Sequence, residues 1–179
     1  LALLEAELQE FLRRAASADF LGRTAPAGAR RIVDVAFSGN GEPTSAAEFP
    51  EAVEATVTLL QQLNLLPAIK LRLITNGSLL HRTGVQAGIR RIGEVDGEIW
   101  FKVDRATASG METVNKIALD PQKVLAGLNT CAELAPTWLQ TCWFAFDGAA
   151  PDESEQSAYL NLLSTVGQKI KGVHLYGLA

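Results

Sequence analysis

The chain has 179 residues, of which 47% are hydrophobic and 20% charged, and its formal net charge is -4 at pH 7. This composition is typical of one folded domain and differs from that of a disordered protein. The acidic balance argues against a generally basic, nucleic-acid-binding surface. No hydrophobic run approaches the roughly 20 residues of a membrane helix, and glutamates interrupt the N-terminal leucines, unlike in a signal peptide. We therefore predict a single cytoplasmic domain over residues 1–179 that does not contact a membrane.

In the first half of the chain, the residue pattern predicts two helices with a loop and a strand between them. Apolar residues at helical spacing predict an amphipathic helix over Leu1–Ala18, and the Gly-, Ala- and Pro-rich residues 22–29 predict a loop. The apolar run Ile32–Phe37 predicts a strand. A second helix is predicted over Ser45–Leu66, because an apolar stripe runs along it and Pro67 ends it.

The second half continues the alternation. The apolar, β-branched run Ile69–Thr75 predicts a strand buried on both faces, and Asn76-Gly77 then predicts a turn. The remaining predicted elements are a helix over Gly84–Ile92, a strand over Glu98–Val103, a helix from Asp120-Pro121 to about Leu134, a strand over Trp138–Phe146, a helix over Asp152–Ile170 and a strand over Val173–Tyr176. Strands that alternate with helices indicate an α/β fold with a parallel sheet and sites at the carboxyl ends of its strands.

The most informative segment follows the first predicted strand and reads Ser38-Gly39-Asn40-Gly41-Glu42-Pro43-Thr44. Its two glycines allow backbone turns that side chains disfavour, and its proline fixes φ. The segment is either an ordinary connection, in which Glu42 caps the following helix, or a ligand-binding loop that presents the Glu42 carboxylate.

Five motifs at predicted strand ends together resemble those of the radical S-adenosylmethionine (radical SAM) enzymes. In chain order they are Gly41-Glu42-Pro43, Ile74-Thr75-Asn76-Gly77-Ser78, Trp100-Phe101-Lys102-Val103-Asp104, Leu139-Gln140-Thr141 and Val173-His174-Leu175-Tyr176. The first is similar to the family's Gly-Gly-Glu-Pro motif, and its fuller form resembles Fe–S oxidoreductases related to the tRNA wyosine-synthesis enzymes. The resemblance implies strands 2 to 6 of a partial TIM-like (β/α)6 barrel, without the first strand.

The resemblance also implies that S-adenosylmethionine (SAM) binds at the strand ends and is cleaved reductively at a [4Fe-4S] cluster in the complete protein. The implied SAM-binding residues are Ser38, Gly39, Asn40, Gly41, Glu42, Pro43, Thr75, Asn76, Ser78, Lys102, Asp104, Gln140 and Tyr176. The family's C-x3-C-x2-C cluster loop is absent, because Cys131 and Cys142 are the only two cysteines and three thiolates are needed. We therefore expect a truncated, inactive form that binds no cluster, with an RNA base, a peptide or a metabolite as the substrate of the complete enzyme.

Several alternatives remain open from the residues alone. Asn76-Gly77 could be a simple turn, and His174 could be a satisfied core residue. The tryptophans are expected to face either the barrel interior or the helices, and both cysteines are expected to be small buried hydrophobic residues. A non-radical anion- or nucleotide-binding module, with the anion at the helix start near Ser45, is the alternative function, although the acidic Glu42 argues against phosphate. The edge Ile32–Phe37 is expected to be uncovered, which favours self-association.

Overall fold

A computed structural model describes residues 1–15, 18–39 and 41–178 of the chain. It contains one five-stranded sheet in the order β1-β2-β3-β4-β5, and all four neighbouring pairs are parallel. The strands are β1 (Asp34–Phe37), β2 (Lys70–Thr75), β3 (Glu98–Lys102), β4 (Thr137–Cys142) and β5 (Val173–Tyr176). The predicted α/β class and the sequential parallel strand order are confirmed, and they are consistent with a partial barrel.

Helices connect the strands. They are α1 (Ala2–Ala15), α2 (Ala18–Thr24), α3 (Phe49–Gln62), α4 (Thr83–Glu94), α5 (Ala108–Asn115), α6 (Pro121–Leu134) and α7 (Glu153–Val166), with 3-10 turns at Ala27–Ala29 and Pro43–Ser45. Helix α6 begins as predicted, because the Asp120 carboxylate accepts a hydrogen bond from the Gln122 amide. No helix in the described part of the chain is long and apolar enough to cross a membrane.

Five predicted boundaries are wrong. Helix α2 extends into the predicted loop 22–29, and α7 ends at Val166 instead of Ile170. The helix predicted from Ser45 begins only at Phe49 and ends at Gln62, because a 3-10 turn capped by Glu42 precedes it. Strand β4 ends at Cys142 and not at Phe146, because left-handed residues at positions 147 and 148 reverse the chain and pair Phe146 with Ala149.

The two faces of the sheet differ in burial. On one face, five apolar side chains of the three central strands are at most 1% exposed and pack with α3, α4 and α6: Leu71, Leu73, Ile99, Phe101 and Leu139. Alternate residues form the opposite face, called the open face here and defined by Asp34, Arg72, Glu98, Trp100, Trp138, Gln140 and His174. The prediction that Ile69–Thr75 is buried on both faces is wrong, since Lys70, Arg72 and Ile74 are only half-buried.

Candidate functional site

The Glu42 carboxylate ties together the carboxyl ends of β1 and β2. Its Oε1 accepts hydrogen bonds from the hydroxyls of Thr75 (2.6 Å) and Thr44 (2.7 Å) and from the Thr44 amide (3.3 Å). Its Oε2 accepts from the Asn76 amide at 2.8 Å. These four hydrogen bonds make Glu42 a brace between the two loops. The cap interpretation is confirmed, although the capped element is the 3-10 turn and not a long helix.

The glycine loop before Glu42 leaves its backbone open. A Cβ added at Gly39 or Gly41 would meet nothing within 4 Å, so packing does not require glycine at either position. Ser38 is exposed, and Pro43 begins the 3-10 turn. Asn40 lies outside the described residues. The open backbone allows close approach of a ligand to the carbonyls and amides of this loop.

The turn after β2 is a rigid Asn-Gly turn, as one of the two interpretations predicted. The Asn76 Oδ1 accepts from the Ser78 amide at 2.9 Å, and the Thr75 hydroxyl accepts from the Gly77 amide at 3.0 Å. Gly77 has φ +73°, and an added Cβ would lie 2.3 Å from the Phe101 ring. Only glycine fits there, which fixes the positions of Asn76 and Ser78 at the rim of the sheet.

Lys102 and Asp104 form an ion pair at the end of β3. The Lys102 ammonium makes a salt bridge to the Asp104 carboxylate, whose other oxygen accepts from the Cys142 amide at 2.9 Å. Asp104 is 5% exposed, whereas the Lys102 side chain is 41% exposed. Burial, and then the charges of Asp104 and Cys142, raise the pKa of Tyr176 against the opposing effect of Lys102. The carboxyl ends of β3, β4 and β5 therefore form one polar cluster.

Two buried charges in this region are not evident from the sequence. Arg105 is 5% exposed and donates to the carbonyls of Asp104 (2.7 Å), Phe144 (2.6 Å) and Cys142 (3.5 Å). Glu155 is also 5% exposed and accepts from the Thr107 hydroxyl at 2.5 Å and from the Ala106 amide. Both hold the loop after β3. The Asp152-x-x-Glu155 spacing is a helix-start signature, but the partner of Glu155 is that distant loop.

A cavity of about 900 Å³ opens beside the ends of β2 and β3. Of the predicted SAM-binding residues, Asn76, Ser78, Lys102 and Asp104 line it. The other described ones are not among its lining residues: Ser38, Gly39, Gly41, Glu42, Pro43, Thr75, Gln140 and Tyr176. The predicted residues therefore share the carboxyl rim of the sheet, but they divide between the cavity and its surroundings.

An aromatic cluster lies on the open face below this rim. The His174 ring stacks on Trp138 (4.6 Å between centroids, 18° between planes) and lies 4.5 Å from Trp100. Both tryptophans are half-buried on this face, not in the core. Three buried atoms have no partner among the described residues: Trp100 Nε1, Gln140 Oε1 and His174 Nε2. The expectation that His174 is a satisfied core residue is therefore wrong.

The two cysteines do not form a metal site. Cys131 is 0% and Cys142 is 6% exposed, as expected of small buried hydrophobic residues. Burial, with a contribution from the Glu42 charge, raises the pKa of Cys131 to about 12, so its thiol stays protonated. Within the described ranges, no three His, Cys, Asp or Glu side chains are grouped closely enough to hold a metal ion.

Comparison with known proteins adds no family. No protein-family model matches the chain, and no curated protein matches it. The side chains at the carboxyl rim and around the cavity are therefore the basis for assigning a function.

Proposed function

We propose that this chain is the SAM-binding core of a radical SAM enzyme and that its sheet corresponds to strands 2 to 6 of a TIM-like (β/α)6 barrel. One observation carries the proposal: the carboxyl ends of five sequential parallel strands meet at a rim that holds the Glu42 loop, the Asn76 turn and the Lys102–Asp104 pair. Ligands of open α/β sheets bind at this rim.

The residues at the rim fit the functional groups of SAM. The main-chain carbonyls of Ser38 and Gly39 are acceptors for its ammonium group, since Glu42 already accepts from Thr44, Thr75 and Asn76. The Ser78 hydroxyl is a donor for its carboxylate. Asp104 would accept from its ribose hydroxyls. When bound, SAM supplies a sulfonium group whose reductive cleavage starts radical chemistry.

The side chain of Asn76 would join Ser78 at the carboxylate. Lys102 would position Asp104, with which it is paired. Gln140 and Tyr176, on β4 and β5, would border the adenine, because the Gln140 Oε1 is buried without a partner and can accept from an amino group.

The residues present do not fit a [4Fe-4S] cluster. Such a cluster needs at least three thiolates, whereas Cys131 and Cys142 lie in different elements and both are buried. We therefore derive no cleavage step from this chain and expect it to bind SAM without turning it over.

The alternative site for an anion at Ser45 has no support in the geometry. Ser45 ends a three-residue 3-10 turn, and the Glu42 carboxylate already accepts from the Thr44 amide. A carboxylate at this position repels a phosphate. SAM binding is therefore the function that the rim supports best.

Calorimetric titration of the chain with SAM tests the proposal. Asp104→Asn should weaken SAM binding at least about tenfold, since it removes a charged hydrogen-bond acceptor. Asp34→Asn is the matched control, because Asp34 is also ion-paired but lies at the amino end of β1. Absence of SAM binding to the folded chain, or equal losses in both variants, would contradict the assignment.

A further inference from the structure

The hydrogen-bonded ladder between β3 and β4 ends just before the rim of the sheet. The last paired residues are Lys102 and Gln140, and the Val103 amide makes one further bond to the Gln140 carbonyl at 3.0 Å. Asp104 and Cys142 follow this point in their two chain segments. The separation of their main chains is therefore set by contacts other than the paired residues of the ladder.

Side-chain hydrogen bonds take the place of the next ladder bonds. In a continued parallel ladder, the Cys142 amide would donate to the Val103 carbonyl. Instead, the Cys142 amide donates to the Asp104 carboxylate at 2.9 Å, and the Thr141 hydroxyl donates to the Val103 carbonyl at 2.8 Å. The Asp104 carboxylate is thus held by a main-chain donor of the neighbouring strand.

The Arg105 guanidinium joins the same two chain segments. It donates to the carbonyls of Asp104 at 2.7 Å, Cys142 at 3.5 Å and Phe144 at 2.6 Å. The rings of Trp143 and Phe144 lie 5.4 and 4.8 Å from its central carbon. Because the guanidinium is planar and rigid, these bonds fix the main chain on both sides of the hydrogen bond between Asp104 and Cys142.

The ion-pair partner of Asp104 is less constrained than Arg105. The Lys102 side chain is 41% exposed, and an exposed ion pair is weak because water screens it and the long side chain keeps its freedom. Arg105 is only 5% exposed. Arg105 therefore supplies the more rigid of the two constraints on the Asp104 carboxylate.

We propose that Arg105 is a positioning residue for Asp104. It holds the ends of β3 and β4 at the separation that keeps the Asp104 carboxylate bonded to the Cys142 amide. Its hydrogen bonds are to main-chain carbonyls, so its effect on a ligand is transmitted through Asp104. The effect on SAM rests on the proposed function, in which Asp104 accepts from the ribose hydroxyls, whereas the effect on Asp104 itself does not.

Amide hydrogen exchange, followed by NMR without SAM, tests the positioning of Asp104. Arg105→Lys keeps the charge but loses the planar set of donors. The Cys142 amide should then exchange at least about tenfold faster, because its hydrogen bond to a charged group is weakened. The Leu139 amide, which donates to the Gly172 carbonyl at 3.0 Å from the same strand, should be affected much less. Unchanged exchange at Cys142, or equal acceleration at both amides, would overturn the proposal.

Two further variants guard against an effect on folding alone. Phe144→Leu removes one ring beside the guanidinium but no main-chain bond, and it should accelerate Cys142 exchange about threefold. Arg91→Lys makes the same exchange in an arginine that pairs with Glu54 and Glu94 away from the rim, and it should leave the Cys142 amide unchanged. Acceleration by Arg91→Lys, or none by Phe144→Leu, would contradict the assignment.

Calorimetric titration with SAM tests whether Arg105 acts through Asp104. Arg105→Lys alone should weaken SAM binding about fivefold, because the acceptor is no longer held in place before binding. In the Asp104→Asn protein, Arg105→Lys should have little further effect, since the carboxylate that it positions is already gone. Losses that multiply in the double variant would overturn the positioning role.

The two measurements also separate this proposal from the proposed function. If no protein binds SAM but Arg105→Lys still accelerates exchange at Cys142, only the proposed function is overturned. If SAM binding weakens while Cys142 exchange stays unchanged, the positioning of Asp104 by Arg105 is overturned and SAM binding at the rim is not.

Discussion

The helix-covered face and the open face of the sheet are built by alternate residues of the same strands, and they differ in chemistry. Leu73 and Phe101 on the covered face are at most 1% exposed and pack under helices. On the open face, Arg72 bridges Asp34 and Glu98 and also lies over the Trp100 ring at 4.9 Å. One face is a conventional apolar core, and the other is a half-buried polar and aromatic surface.

The covered face therefore contributes mainly to the stability of the fold, and the open face is the one suited to binding. Apolar burial on the covered face supplies most of the free energy of folding, since it scales with the area removed from water. The open face gains less from burial and still holds polar atoms that have no partner among the described residues, such as Trp100 Nε1 and His174 Nε2. Substitutions on the two faces should therefore differ in size even at neighbouring positions.

The largest expected effect is from Phe101→Ala on the covered face. Removing this ring, which contacts the Gly77 turn, should lower the free energy of unfolding by about 3–5 kcal/mol. Trp100→Ala, one residue away on the open face, should cost only about 1–2 kcal/mol, from lost ring and cation–π contacts. Urea denaturation measures both values, and equal losses would contradict the distinction between the faces.

The stability of the protein at alkaline pH should depend on Cys131, a core residue of α6 on the covered side of the sheet. Its pKa is raised to about 12 by burial, so the folded state holds the thiol proton more tightly than the unfolded state. The contribution of this thiol to the free energy of unfolding is complete below the ordinary thiol pKa. It is lost as the pH rises toward 12, which lowers the free energy of unfolding by up to roughly 4 kcal/mol.

Measurement of the free energy of unfolding at pH 8 and at pH 11 tests the direction of this pH dependence. Cys131→Ala should be less stable than the parent at pH 8, because it leaves a small cavity. The difference should shrink or reverse at pH 11. A constant difference across this range would contradict the prediction, and Cys142→Ala serves as the control for loss of a thiol.

On the open face, Arg72→Met should cost about 2 kcal/mol, since it leaves the carboxylates of Asp34 and Glu98 without their shared cation. Adding Asp34→Asn to this variant should recover part of the loss, because it removes one of the two like charges. Thermal denaturation at low ionic strength measures both variants. If the second substitution adds a further loss, the ion pairs do not stabilise this face.

The smallest expected effect concerns the edge of the sheet. The described residues provide a neighbouring strand to β1 on only one side, so its other side can pair with a second copy. We expect weak, concentration-dependent association in sedimentation experiments. Ala36→Lys, at an exposed position of β1, should reduce it because like charges would meet, whereas a lysine at the exposed, helical Ser154 should not. Association unaffected by Ala36→Lys would exclude this edge.

Local sequence patterns predicted the features that depend on neighbouring residues. The Asp120-Pro121 start of α6 and the Asn76-Gly77 turn both occur as predicted. The late start of α3 was not predicted, although Pro50 in its first turn is a local signal for it. The contacts of Glu42 with Thr75 and Asn76 were not predicted either, because these residues lie more than 30 positions away. The roles of Arg105 and Glu155 were missed for the same reason.

The sequence by itself determined the alternation of strands and helices, and hence the parallel sheet, because hydrophobic periodicity and helix caps act over a few residues. Only the tertiary structure decided which side chains share a site. The cavity joins the loops after β2 and β3 to α6, and the open face brings His174 of β5 into ring contact with Trp100 of β3 and Trp138 of β4. Such contacts depend on packing between distant segments, which spacing along the chain does not encode.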